Sequence, residues 1–453
     1  MSLDKVKGYA SDVRDQYRSQ LGEMVSIPSI SAREENRKDC FRMLEWVGAF
    51  TESMGLKPRI VETKGHPAFV ASLENDPSLP WITLYNHMDV QPADEPQWVT
   101  SPFEPILEET RVIGRGSTDD KGPALSILHA IKFLKDNNIP FPNVQVVYET
   151  EEEVGSPFFG QFLDDNQDLL KNPQSILVSD TIFEGENPAI TYKLKGMVRM
   201  EIELKTGSKD LHSGIFGNGV VNPVSLLIHA LGTCTDRDGK IQIEGVMKDV
   251  KELTQRELTE LAKVAQAFDL EKFRNDSGGA TLYTSDPKEI LSRTWHEPTF
   301  EIHGFEGAQW EPGVLKSAIP YHVKAKVSMR LVPGQEPDQV VQAVQEHLKK
   351  FHPDIVVHSL GGQKASFTPL SEAIFESAIE ACNYGFGRKP LFVGCGGTIG
   401  AIPQFQRVYP KAPVVLIAQS LMSDGYHAPN EEFQLIQGER GIATMAKYIH
   451  SQL

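Results

Sequence analysis

The chain has 453 residues, with 45 Lys or Arg against 61 Asp or Glu, so its formal net charge is −16. At 40% apolar and 23% charged residues it reads as a water-soluble protein too long for one ordinary core, and two or more units are expected. The acidic balance excludes nonspecific attraction to nucleic acid or an anionic membrane, and no run approaches the roughly 18 apolar residues of a membrane span.

The opening stretch MSLDKVKGYASDVRDQY lacks the apolar segment of a secretory signal, so the cytoplasm is the expected location. Residues 4–26 and 34–54 carry helical periodicity, the second through Cys40, Met43, Leu44, Val47 and Phe50 and stopping at Gly55. Strands are expected at RIVET (59–63), AFVASL (68–73) and WITLY (81–85), a helix at 122–136, and strands again at VQVVYET (144–150) and SILVSD (175–180). That order is the pattern of an α/β sheet domain with helices on both faces.

After Asn187 the texture changes. KLKGMVRMEIELKT (193–206) and AIPYHVKAKVSMRLVP (318–333) alternate cleanly, as strands with one wetter face do, and helices are expected at NPVSLLIHALG (222–232) and 337–350. A Gly-, Thr- and Asp-rich stretch near 275–287 reads as loop. From about 366 the first texture returns: SEAIFESAIEAC is helical, PLFVG and PVVLIAQ are strand-like, and 431–452 is a closing helix. The economical architecture is one α/β domain built from 1–192 and 359–453, interrupted by an α+β domain at 193–358. Cys40, Cys234, Cys382 and Cys395 lie far apart without CxxC spacing, which points to buried free thiols and not to a disulfide framework or a thiolate metal knuckle.

Five polar groups stand at strand ends or glycine-rich turns. WITLYNHMDV closes an apolar run with His87 and Asp89, which a strand's period of two puts on one side of the chain. GRGSTDDKG carries Asp119 and Asp120, YETEEEVGS carries Glu151, Glu152 and Glu153, SILVSD ends in Asp180, and SDGYHAPNEE holds His427. Taken singly each has an ordinary reading: Asp119 as a helix N-cap, the glutamates as a solvated charge run, the histidines as loop or turn residues. Taken together they crowd carboxylates at one sheet edge, which costs several kcal/mol unless cations neutralise them. Histidine with hard carboxylates is the ligand set of zinc, manganese or cobalt hydrolases.

HMDVQP, GRGSTDDKGP, EEEVGSP, the DLHSG of 210–214, RLVP of 330–333 and HAPNE together resemble the M20 family of dinuclear metallopeptidases, nearest in look to its cytosolic nonspecific dipeptidase and carnosine dipeptidase branch. The resemblance covers essentially the whole chain. It implies a zinc-peptidase-like catalytic domain with a mixed sheet and an inserted lid or dimerisation domain. It implies two divalent ions, zinc first with manganese or cobalt as alternatives. His87 and Asp180 would bind one ion, Glu153 and His427 the other, and Asp119 would bridge them. Asp89 would hold the free ring nitrogen of His87. Glu151, Glu152 and Glu153 are rivals for the general base by proximity, and the resemblance selects Glu152.

Two ions about 3.5 Å apart can hold a hydroxide between them and polarise a scissile carbonyl, while a neighbouring glutamate relays the proton to the leaving amine. Arg330 offers a bidentate fork for the carboxylate at the end of a dipeptide. The resemblance casts His212 as an oxyanion stabiliser from the other subunit's lid, hence a homodimer, and places Gly396, Gly397 and Thr398 beside the substrate carboxylate. Ser317 stands where relatives have threonine. Cys395 departs from the acidic residue that relatives carry. The expected activity is hydrolysis of dipeptides with a free C-terminal carboxylate; an M20-type N-acyl amino acid deacylase or carboxypeptidase is the alternative.

Overall fold

The computed structural model describes residues 3–307 and 317–453. The periodicity at 34–54 forms the helix Arg37–Ser53, which buries Cys40, Met43, Leu44 and Val47 and gives way to Gly55 at φ +78°. The N-terminal period is cut at Val13 into Val6–Asp12 and Arg14–Val25. At the other end Glu432–Gln434 is a short strand, and the closing helix begins only at Leu435.

Nine strands among the described residues make the first sheet. Its order is Lys57–Val61, Ala68–Leu73, Asn143–Glu149, Trp81–His87, Ser175–Val178, Val414–Ile417, Ala189–Leu194 and Ser366–Phe367, with Leu391–Cys395 also paired to Ala189–Leu194. The central four, Asn143–Glu149 through Val414–Ile417, run parallel. All seven residues of Asn143–Glu149 are buried, as a parallel strand covered on both faces requires. On one face Leu84, Val146 and Leu177 meet the helices Gly122–Asp136 and Leu435–His450; on the other Tyr85, Val147 and Val178 meet Phe159, Phe162 and Phe405. Parallel strands end at a common edge, so His87 lies opposite Glu149 there, with Asp180 just past Val178.

The second sheet is antiparallel, in the order Glu301–Glu306, His322–Leu331, Gly196–Lys205, Val356–Gln363. Its alternation is real: Val198, Met200, Ile202 and Leu204 point with Val323, Ala325, Val327 and Met329 into a separate core, while Arg199, Glu201 and Glu203 point away from it. The long strand expected from 193 is broken at Lys195. Lys193 and Leu194 close a strand of the first sheet, and Gly196 opens one of the second.

The span 193–358 is divided by its packing. The second sheet continues to Gln363, while the helices Gln255–Ala267 and Pro287–His296 return to the first domain, where Leu261, Val264 and Leu291 join its core. Gly394 makes room for this return, since a Cβ there would lie 2.7 Å from the Cβ of Trp295. The sequence carried one signal for these helices: Thr254 and Glu257 form a reciprocal capping box.

At the junction of the two sheets, a Cβ on Gly196 would meet backbone atoms of Gln363, Lys364 and Ala365 at 2.4–2.6 Å. Gly196→Ala is expected to force these segments apart and lower unfolding free energy by about 1–3 kcal/mol. Urea unfolding checks it, and an unchanged midpoint would show that the junction yields freely.

Candidate metal centre

Five segments deliver their polar side chains to the sheet edge. His87 ends its strand fully buried, with Nε2 2.9 Å from Asp119 Oδ1 and 3.9 Å from Asp180 Oδ1. The second Asp119 oxygen is 2.9 Å from His427 Nε2, which lies 3.2 Å from Glu153 Oε2. Two three-residue sets result, His87–Asp119–Asp180 and Asp119–Glu153–His427, each with its donor atoms within 4.8 Å of one another. Asp119 belongs to both, one oxygen facing each histidine. It caps no helix: the N-cap position before Gly122–Asp136 is Lys121.

The remaining contacts fix these groups in place. Asp89 reaches past His87, with Oδ1 3.4 Å from Nδ1, and accepts the amides of Glu152 at 3.1 Å and Glu153 at 3.0 Å and the Ser31 hydroxyl at 2.6 Å. His87 Nδ1 donates to the Asp89 backbone carbonyl at 3.1 Å, so this one residue holds the histidine through its main chain and the turn bearing the glutamates through its carboxylate. Gln91 donates its backbone N–H and side-chain amide to Glu153, at 3.0 and 2.7 Å. Tyr426 donates its hydroxyl to Asp180 Oδ1 at 3.1 Å. Glu431 accepts three amides, from Gly116, Thr118 and Asp119, and the buried Arg115 guanidinium at 2.9 Å, which shapes the loop that carries Asp119. The Asp119–Asp120 peptide is cis.

Gln91, Tyr426 and Glu431 were not singled out from the sequence. Each lies within four residues of a histidine that was, Gln91 inside HMDVQP and Glu431 inside HAPNE.

Electrostatics follow the crowding. Burial pushes the Asp180 carboxyl up to about 7 against the pull of His87, and Asp119 and Glu153 add to the rise. Burial likewise raises Glu152 well above the carboxylate range; His87 opposes this, and Asp180, Glu153 and Asp89 reinforce it. Asp119 is also penalised by burial, yet the hydrogen bonds from His427 and His87 hold it below the usual range. Those to Asp119 and Glu153 lift His427 to about 10. Acids and imidazoles thus share protons where cations would replace them. Mixed nitrogen and oxygen donors in two sets joined by one carboxylate fit a pair of divalent ions.

Glu151 turns away, its Oε1 accepting the His66 amide at 2.8 Å, and Glu153 belongs to the second set. Among the described residues the Glu152 carboxylate makes no hydrogen bond, though it shares the field of His87 and Asp180.

The residues expected at the substrate fall into two groups. Arg330 reaches Thr398 Oγ1 at 3.3 Å, and Thr398 donates to the Lys195 carbonyl at 2.5 Å, at the junction of the sheets. Gly396 and Gly397 precede Thr398, and the Gly397 amide donates to Cys395 Sγ at 3.2 Å. His212 and Ser317 lie elsewhere, exposed, on a small ladder in which Leu211–His212 pairs Ala318–Ile319 and Ser213 donates to the Ser317 carbonyl. His212 spends Nδ1 on the Gly214 amide. Its place is not among the metal-ligand residues of its own chain.

Residues 83–451 match peptidase family M20/M25/M40. A Cys-Gly metallodipeptidase of Schizosaccharomyces pombe is 32% identical over 99% of this chain and 98% of its own. The Beta-Ala-His dipeptidase of Homo sapiens is 31% identical over 95% of this chain and 89% of its own. The solved structure of an M20 family metallo-carboxypeptidase from Sulfolobus solfataricus superposes with a TM-score of 0.85 at 28% identity, covering 96% of this chain and 99% of that one.

Glu431→Ala would leave the Arg115 charge buried without its carboxylate and free the loop of Asp119. A loss of about 3–5 kcal/mol in unfolding free energy is expected from urea denaturation. A loss under about 1 kcal/mol would mean that Glu95, 3.6 Å from the same guanidinium, replaces it.

Proposed function

The chain belongs to peptidase family M20/M25/M40, and on that premise we propose that it is a metal-dependent dipeptidase acting on dipeptides with a free C-terminal carboxylate. The observation that carries this reading is the Asp119 carboxylate shared between two ligand sets, with the uncommitted Glu152 beside them. His87 and Asp180 would hold one divalent ion and Glu153 and His427 the other, with Asp119 belonging to both sets. Zinc suits these donors best, and manganese or cobalt would also serve. When bound, the ions polarise the scissile carbonyl and acidify the attacking water.

The chain's own groups do the rest. Glu152 takes the proton of the water on a carboxylate oxygen and returns it to the leaving amine, its carboxylate having no hydrogen-bond partner among the described residues to compete for that role. Asp89 sets the His87 ring and the Glu152 amide in one stroke, so metal ligand and base keep a fixed relation. Arg330, steadied by Thr398, grips the terminal carboxylate, and Gly396 and Gly397 leave the loop open to close approach.

His212 acts in a partner's site. It is exposed beside Ser317, with Ile215, Phe216, Val220 and Val221 bare nearby, Ile215 at 72% exposure. Such an apolar patch on the second domain is the surface a homodimer would cover. There His212 donates to the developing oxyanion, and Ser317 lines the same wall. The cytoplasm is the location that accompanies this reading.

A carboxypeptidase with the same metals is the second reading, favoured by the superposition on the Sulfolobus enzyme. A panel of free dipeptides, C-terminally amidated dipeptides, longer peptides and N-acetyl amino acids separates the two. Free dipeptides should be cleaved best, and amidation should raise KM by removing the partner of Arg330. Preference for longer peptides would reject the dipeptidase reading in favour of the other.

Glu152→Gln is expected to keep its metal and lose on the order of 10² or more in kcat. A near-normal rate would remove Glu152 from the role of base. Mixing Glu152→Gln with His212→Ala protomers should restore activity, because one hybrid site receives both an intact base and an intact histidine. Mixtures shown by native mass spectrometry to contain exchanged dimers, yet inactive, would reject the cross-subunit role.

A further inference from the structure

The two ligand sets differ in what stands behind them. His87 and Asp180 are buried at the ends of neighbouring parallel strands, a rigid base. His427 is exposed and rides on a loop, with φ +54°, in the left-handed region a non-glycine residue rarely takes. The terminal carboxylates have different outer partners as well. Glu153 is held through both oxygens by Gln91. Asp180 has Tyr426, whose hydroxyl donates to Oδ1, the same oxygen that lies 3.9 Å from His87 Nε2. Tyr426 and His427 are adjacent in sequence, with ring centroids 6.0 Å apart, so one short loop sends a hydroxyl to the first set and an imidazole to the second.

We propose that Tyr426 is a positioning residue for the ion held by His87, Asp119 and Asp180, and that the two metal positions are consequently unequal, the one at His427 and Glu153 emptying first. The inference rests on the two-ion reading above. A carboxylate free to rotate presents either oxygen to an ion; a hydroxyl donating to one of them fixes the plane of the group and keeps its coordinating oxygen aimed. The strand ends supply the rest of that rigidity. The second position has a well-held glutamate but takes its histidine from an exposed side chain, so rotation of the His427 ring alone, with Tyr426 left in place on Asp180, opens it to solvent.

Chelator-stripped protein titrated with Co2+, followed by visible absorption and by metal analysis after gel filtration, reads each position without reference to turnover. The unsubstituted chain should fill in two steps. His427→Ala should abolish the weaker step and so identify it. Tyr426→Phe, which removes one oxygen and keeps the ring, should weaken the stronger step by about 10–100-fold and leave the weaker one within about threefold. Both steps unchanged, or both weakened alike, would overturn the proposal. An unsubstituted chain that takes up a single ion would instead overturn the two-ion reading on which it rests. Should Tyr426→Phe melt early when metal-free, 3-fluorotyrosine at position 426 gives the same answer in a folded chain: its 19F resonance should move with the stronger step and not with the weaker, and the reverse order would reject the assignment.

Discussion

Repulsion among carboxylates at the edge of the first sheet is the constraint on which the site depends. Asp119, Glu152, Glu153 and Asp180 converge within reach of two histidines, and burial removes the water that would screen them. Without cations the cluster relieves itself by holding protons, which is why Asp180 and Glu152 rise while Asp119, pinned between two imidazoles, falls. Such an arrangement is stable only because the backbone beneath it has no freedom to spread. Asp89 and Glu431 do much of that holding: between them these two carboxylates accept five backbone amides, Asp89 from the turn at 152–153 and Glu431 from the loop at 116–119.

The same logic reaches the protein's larger architecture. A parallel sheet brings strand ends together, and His87 and Asp180 need only follow adjacent strands to meet. Asp119 and His427 come from loops 308 residues apart in sequence, and Glu431 is what brings them into register by bonding the loop of the first while lying four residues after the second. The residues proposed for substrate recognition are placed differently. Arg330 sits where the second sheet meets the first and touches Thr398 there, which bonds the Lys195 carbonyl between the two sheets. His212 and Ser317 lie away from it on a small exposed ladder, beside bare apolar side chains.

Tertiary packing also redraws the inserted segment. Its clean alternations, at Gly196–Lys205 and His322–Leu331, form a sheet with its own core, yet the helices between them serve the first domain. Helices of mixed polarity over 255–296 carry no statement of which core they will cover. Gly394 helps decide it, by giving Trp295 a flat place to pack.

By itself the sequence determined the local periods, the α/β class and the strand ends, and it singled out His87, Asp119, Glu153, Asp180 and His427 as candidate metal ligands because so many carboxylates and histidines at strand ends, ordinary when taken singly, together call for cations. It named Glu152, Glu151 and Glu153 as neighbours, and a resemblance between short motifs chose among them for the proposed base; the structure adds that Glu151 accepts the His66 amide. Tertiary structure alone decided that Asp119 faces both histidines, that Asp89 carries the turn as well as the ring, and that Gln91, Tyr426 and Glu431 stand behind the ligands. Most of these contacts join segments far apart along the chain, up to 316 residues, and no local pattern records which donor will find which acceptor. Periodicity is a property of neighbours along the chain, whereas the aim of a carboxylate is a property of neighbours in space, and only the packed sheet sets the second.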